Sequence, residues 1–241
     1  FVRFDGKDTD PLAKKTLFFP RYHQLDVVRR LVADCSKNGV GQTYLIQHSA
    51  GSGKSNSITW AAYQLIEVYP TSVDVHGAKA VDQPLFDSVI VVTDRRLLDK
   101  QLRENIKEFS EVKNIIAPAN KSSELKSALE NGKKIIITTI QKFPFIVDGI
   151  SDLSDKRFAV IIDEAQNLTP KQMKALITRA GPGTKIVCMG NLAQIDTPYL
   201  TEGSSGLTFA VDRFKGWPHS GHITLARGER SRLADFASEV L

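Results

Sequence analysis

The run QHSAGSGKSNSITW (47–60) carries Gly51, Gly53, Lys54 and Ser55 in the order of a phosphate-binding loop. Glycines let successive backbone N–H groups wrap an anion, and the N-terminus of a following helix favours negative charge. Ser49, Ala50, Gly51, Ser52, Gly53, Lys54 and Ser55 are therefore the expected phosphate-contacting residues. Within them, the Lys54 ammonium would neutralise β- and γ-phosphates, and the Ser55 hydroxyl would ligate Mg²⁺. Strict spacing asks for glycine at the first position of such a loop, where this chain has His48.

A second run, RFAVIIDEAQNLTPKQM (157–173), supplies two adjacent carboxylates at the end of an apolar stretch. Asp163 is placed to hold the metal alongside Ser55, and Glu164 to polarise an attacking water as a positioned base. Two independent motifs of this kind read together as an ATP site with Mg²⁺. Upstream, FFPRYHQLDVVRRLV (18–32) puts Arg21 and Gln24 just before an amphipathic helix. An amide both donates and accepts, so Gln24 is a candidate for reading the adenine edge, with Phe18 or Phe19 stacking on the ring.

These side chains need a scaffold that delivers them to one edge. TYLIQ (43–47), SVIVVT (88–93), KIIITTI (134–140), FAVIID (158–163), KIVCMG (185–190) and HITL (222–225) are short, β-branched and continuously apolar, as in strands buried on both faces. Helical spacing between them, for example Ile58, Ala62, Leu65 and Ile66, implies a parallel sheet covered on both sides. The segment from about Val68 to Asp87, with Pro70, Gly77 and Pro84, reads as a surface excursion. Thr169, Pro170 and Gln172 form a capping box for one helix, with Leu168 and Met173 at the positions of a hydrophobic staple.

The chain has 241 residues, enough for one substantial core, and no linker divides it. Its opening, FVRFDGKDTDP, reads as part of something longer. No signal peptide and no apolar run of bilayer-spanning length is present. Two distant cysteines, Cys35 and Cys188, argue against a disulfide framework or zinc site and for a reducing cytoplasm. A net charge of +5 suits an anionic partner such as nucleic acid.

Four stretches, FPRYHQLDVVRRLV, YLIQHSAGSGKSNSI, FDSVIVVTDRRLLDKQL and KKIIITTIQKFPFI, resemble the motor of type I restriction endonuclease R subunits, which are superfamily-two helicases. His48 is normal in that company. The resemblance implies strand contact by Thr93, Arg95, Arg96, Thr139 and Gln141; strand-end capping and solvated helix charge are the alternative for each. From Asp163 onward the pattern changes. DEAQ replaces the DEAH expected of such motors, and residues 163–241 closely resemble the C-terminal part of PhoH-like ATPases. The chain thus reads as a hybrid with its seam near 158–163.

The two resemblances imply an α/β fold, a RecA-like P-loop NTPase whose mostly parallel sheet carries helices on both faces, in a single domain over 1–241. They imply that Gln194, in GNLAQ (190–194), senses the γ-phosphate. They also imply that Arg230, in LARGERSRLADF (225–236), is an arginine finger acting within one chain or from a neighbour in a ring. The function expected is a helicase-like ATPase acting on single-stranded DNA or RNA, working through a homo-oligomer or with a second motor domain. The alternatives are an ATP-driven assembly or regulatory switch, and a nucleotide-binding hybrid with little turnover. No membrane partner is expected.

Overall fold

A computed structural model describes residues 3–5, 11, 16–48, 52–93, 116–119, 121–139, 155–178, 180–181 and 183–224. Seven strands form one sheet: β3 (Thr43–Gln47), β4 (Ser88–Thr93), β5 (Ile116–Pro118), β6 (Ile135–Thr139), β7 (Phe158–Ile162), β8 (Thr184–Gly190) and β9 (Ser220–Thr224). Their order is β5-β6-β4-β7-β8-β3-β9, and every pairing within it is parallel. A separate antiparallel pair joins β1 (Arg3–Asp5) to β2 (Thr16–Phe18). The described helices are α1 (Tyr22–Asn38), α2 (Lys54–Leu65), α3 (Ser122–Glu130), α4 (Pro170–Thr178) and α5 (Gly206–Phe214). None is long and apolar enough to cross a membrane.

Alternation along each strand sorts the core into two layers. Tyr44, Ile46, Val89, Val91, Ile135, Ile137, Ala159, Ile161, Val187 and Met189 pack with Val27, Val28, Leu31 and Cys35 of α1 and Ile58, Ala61, Ala62 and Leu65 of α2. Leu45, Ile90, Val92, Ile136, Val160, Ile162, Ile186 and Cys188 face Leu125, Met173, Leu176 and Leu207 from α3, α4 and α5. All six residues of β4 are buried. A strand covered on both sides must read as continuous apolarity, which is the pattern seen. Parallel direction brings all carboxyl ends to one edge, where ligands bind in open α/β sheets.

The two sequence portions interleave in space. β3, from the first, lies between β8 and β9 of the second, with Gln47 opposite both Gly190 and Thr224. The capping box of α4 forms as expected: the Thr169 N–H donates to Gln172 Oε1 at 2.8 Å, and the Gln172 N–H to Thr169 Oγ1 at 3.2 Å. The excursion over 68–87 has no helix or strand, but it is more than surface. Val68, Val75, Leu85 and Phe86 are buried, and Arg157 holds the segment by donating to the Gly77 and Pro84 carbonyls.

Candidate nucleotide site

β3 runs into His48, whose N–H donates to the Gly190 carbonyl at 2.8 Å and so extends the β3–β8 ladder by one rung. Ser49, Ala50 and Gly51 lie outside the described residues. Ser52 is fully buried. Its carbonyl accepts from His23 Nε2 at 2.9 Å and Gln24 Nε2 at 3.0 Å, and its hydroxyl bonds His48 Nδ1 at 2.8 Å. Burial, with the Lys54 and His23 charges adding to it, lowers His48 to about 4, so this ring is neutral at pH 7.

Gly53 is the residue before α2 and sits at φ 75°, ψ 42°. A Cβ there would fall 2.3 Å from Gln24 Nε2. Glycine is required twice over, by the left-handed backbone and by the close amide. Lys54 and Ser55 then form the first turn, where helix N–H groups lack intrahelical partners and the dipole is positive.

Gln24 does not extend into open space. Its Nε2 also donates to the Gly53 carbonyl at 3.0 Å, and its Oε1 accepts the Arg21 N–H at 2.9 Å. Arg21 precedes the first residue of α1, so its backbone, through Gln24, braces the loop. The amide expected to read adenine is thus engaged under the phosphate loop. Phe19 is 57% exposed and Tyr22 82% exposed. Tyr22 was not singled out from sequence, although an aromatic two residues before Gln24 was visible there.

The β4–β7 ladder continues past its last pair: the Asp163 N–H donates to the Val92 carbonyl at 2.8 Å. Asp163 is buried, and its Oδ1 lies 2.9 Å from Lys54 Nζ while accepting the Glu164 N–H at 2.8 Å. Glu164 Oε1 lies 3.5 Å from the same ammonium. Glu164 is the one non-glycine residue with positive φ among the described residues, at 53°. Such a conformation costs about 1–3 kcal/mol and persists where the surroundings over-determine it. Three predicted residues from distant sequence positions, Lys54, Asp163 and Glu164, therefore meet.

Beyond Glu164 the chain turns through Ala165–Asn167. Gln166, fully buried, donates from Nε2 to the Gln194 carbonyl at 3.2 Å and accepts the Asn191 N–H on Oε1 at 3.2 Å. Its own carbonyl accepts from Ser205 Oγ at 2.8 Å. A Cβ on Gly190 would meet Gln166 Oε1 at 2.7 Å, so the close approach needs that glycine. Gln194 ends the short turn Leu192–Gln194 with an exposed side chain. Thr93 and Thr139 are buried at strand ends, 1% and 2% exposed. Arg95, Arg96, Gln141 and Arg230 lie outside the described residues.

Two family models match. One, SWI2/SNF2 ATPase, covers residues 23–190, and the other, PhoH-like protein, covers residues 153–237. They overlap across 153–190, the interval that holds β7, α4 and β8, in keeping with a hybrid whose shared piece is the Asp163 strand. Protein PhoH2 of Bacillus subtilis (strain 168) is 55% identical over 82 residues, which is 34% of this chain and 19% of that protein. Protein PhoH2 of Mycolicibacterium smegmatis is 36% identical over 83 residues, 34% of this chain and 18% of that protein. The chain thus spans under a fifth of the length of these relatives. Among solved structures, the UvsW helicase from bacteriophage T4 aligns with a TM-score of 0.53 at 14% identity, over 86% of this chain and 60% of that one. The Pyrococcus furiosus Hef helicase domain aligns at 0.54 and 17% identity, over 86% and 38%. These two likenesses establish the fold: a RecA-like α/β domain with a parallel sheet.

Proposed function

The chain belongs to the SWI2/SNF2 ATPase family, and from that premise we propose that it binds and hydrolyses ATP with Mg²⁺ in a single domain and acts on single-stranded nucleic acid. The observation that carries this reading is Lys54, set directly after the left-handed Gly53 and lying 2.9 Å from Asp163 and 3.5 Å from Glu164. The residues fit the nucleotide and its metal. The Lys54 ammonium is buried between the two carboxylates, a cation at the start of α2 suited to phosphate oxygens. Bound Mg²⁺ supplies charge neutralisation across the phosphates.

In this reading Ser55 and Asp163 would hold the metal, and Lys54 would neutralise the phosphates. Glu164 orients the attacking water and takes its proton. Ser49 to Gly53 would supply backbone N–H groups, and His23, Gln24 and His48 hold Ser52 and Gly53 from beneath. Gln24, with the Arg21 backbone, braces the loop at Ser52 and Gly53, and Phe18 or Phe19 would offer the adenine ring a stacking face. Gln194 senses the γ-phosphate, and Arg230 completes the charge stabilisation from this chain or a neighbour. Movement along a strand would require a second motor domain or a ring of copies.

The test is Mg²⁺-dependent ATP turnover with and without single-stranded DNA or RNA at two salt concentrations. Stimulation that weakens with salt supports the reading, because phosphate contacts release counterions. Turnover indifferent to either strand would replace the nucleic-acid role with an assembly or regulatory switch. Tight ATP binding without turnover would leave a nucleotide-binding hybrid.

A further inference from the structure

Asn167 reaches in two directions from a nearly buried position, 5% exposed. Its Nδ2 donates to Glu164 Oε2 at 3.4 Å, and its Oδ1 accepts the Asp196 N–H at 3.0 Å. Its backbone N–H donates to the Glu164 carbonyl at 2.9 Å, which closes the turn that holds Glu164 in its left-handed conformation. The Glu164 carboxylate is therefore bracketed, with Lys54 on Oε1 and Asn167 on Oε2.

Only a side chain with a donor at one end and an acceptor at the other serves both partners at this reach. A carboxylate accepts only, and a backbone N–H donates only, so an amide joins them. Gln166 makes the neighbouring tie, gripping the Asn191 N–H and the Gln194 carbonyl. Two consecutive residues after Glu164 thus hold both ends of the 191–196 loop, which bears Gln194.

We propose that Asn167 is a positioning residue that links the Glu164 carboxylate to the 191–196 loop, so that a shift of the loop moves the base. This rests on Glu164 acting as the base in the function proposed above. The loop bears the residue placed to sense the γ-phosphate, so occupancy of that position and alignment of the base become one event. The 3.4 Å contact is long for a hydrogen bond to a carboxylate, and catalytic contacts of this type shorten in the reacting complex.

The test compares the parent chain with Asn167→Asp and Asn167→Leu. Asn167→Asp keeps the acceptor for the Asp196 N–H and removes the donor to Glu164; Asn167→Leu removes both. Three readouts are taken: kcat and KM for ATP, the melting temperature, and hydrogen exchange at the Asp196 amide with and without a nonhydrolysable ATP analogue and Mg²⁺. Asn167→Asp is expected to leave Asp196 exchange at the parent rate and KM little changed, while kcat falls about 10–100-fold, as for other outer-layer partners of reacting groups. Asn167→Leu is expected to speed Asp196 exchange and lower kcat at least as far. Parent-like kcat in Asn167→Asp, or losses in kcat, KM and melting temperature that move together, would overturn the proposal. A parent chain without turnover would instead sink the ATPase reading. In that case equal Asp196 protection in all three proteins would also refute the tie.

Discussion

Lys185 is the place where the two sequence portions meet least comfortably. It is fully buried in β8, with its Nζ donating to Tyr44 Oη at 2.9 Å and lying 4.5 Å from the Tyr44 ring centroid. Tyr44 and Cys35, both from the first portion, pack on the same layer. Burial lowers the Lys185 pKa from 10.5, and the Cys35 and Asp34 charges only partly oppose it. Lys185→Met keeps most of the volume and removes the charge. Replacing a buried ionic group by a well-packed apolar one gains about 1–4 kcal/mol. Losing the donor to the Tyr44 hydroxyl costs about 1 kcal/mol. The net expectation is a gain of about 0–3 kcal/mol, or a rise in melting temperature of up to about 12 °C at this chain length.

The pH dependence carries the sign. A lysine with a lowered folded pKa holds fewer protons in the native state than in the unfolded one, so its contribution to stability rises with pH up to about 10.5. Lys185→Met lacks that contribution. The advantage of the variant, measured by urea denaturation, is therefore constant at pH values below the lowered Lys185 value and narrows as pH rises through it toward 10.5. A variant less stable than the parent, or an advantage that widens with pH, would refute the reasoning.

Two further perturbations test other joints. Gly53→Ala would place a Cβ 2.3 Å from Gln24 Nε2 in a left-handed backbone. At about 1–2 kcal/mol for that conformation alone, ATP affinity by calorimetry should fall at least about tenfold; unchanged affinity would contradict the loop geometry. Burial opposes ionisation of Asp87, but the Arg157 N–H at 2.7 Å and the Lys79 and Arg157 charges outweigh it and lower the carboxyl pKa. Its stabilisation is present above the unfolded value near 3.9 and disappears as pH falls through the lower folded value. Asp87→Asn should cost about 1–2 kcal/mol at pH 7 after discounting for partial exposure, and nothing at a pH below the lowered folded value. Equal losses at both pH values would point to packing instead.

Much of this arrangement is legible in the amino-acid order. Strands covered on both faces have no polar face, so β3, β4, β6, β7 and β8 stand out as apolar runs, and the Thr169–Gln172 box marks the start of α4. The phosphate loop and the Asp163–Glu164 pair are local motifs at strand ends. Other features depend on partners remote in sequence. β5 has three residues with a proline at its end, too short to carry a period. Gln24 beneath Ser52 and Gly53 is set by how α1 packs beside α2. Asn167 and Gln166 acquire meaning only because β8 places its following loop next to Glu164. Lys185 looks like a strand-edge charge until α1 covers it.

The central claim is that Lys54, Asp163 and Glu164 form one hydrolytic site, with binding and chemistry divided among them. The direct measurement is ATP binding and steady-state Mg²⁺-ATP hydrolysis of the parent chain, Lys54→Ala and Glu164→Gln, side by side. Glu164→Gln is expected to bind ATP like the parent and to lose about 100-fold or more in turnover, as for a positioned general base, whereas Lys54→Ala is expected to lose binding. Turnover by Glu164→Gln equal to the parent, or undiminished binding by Lys54→Ala, would contradict it.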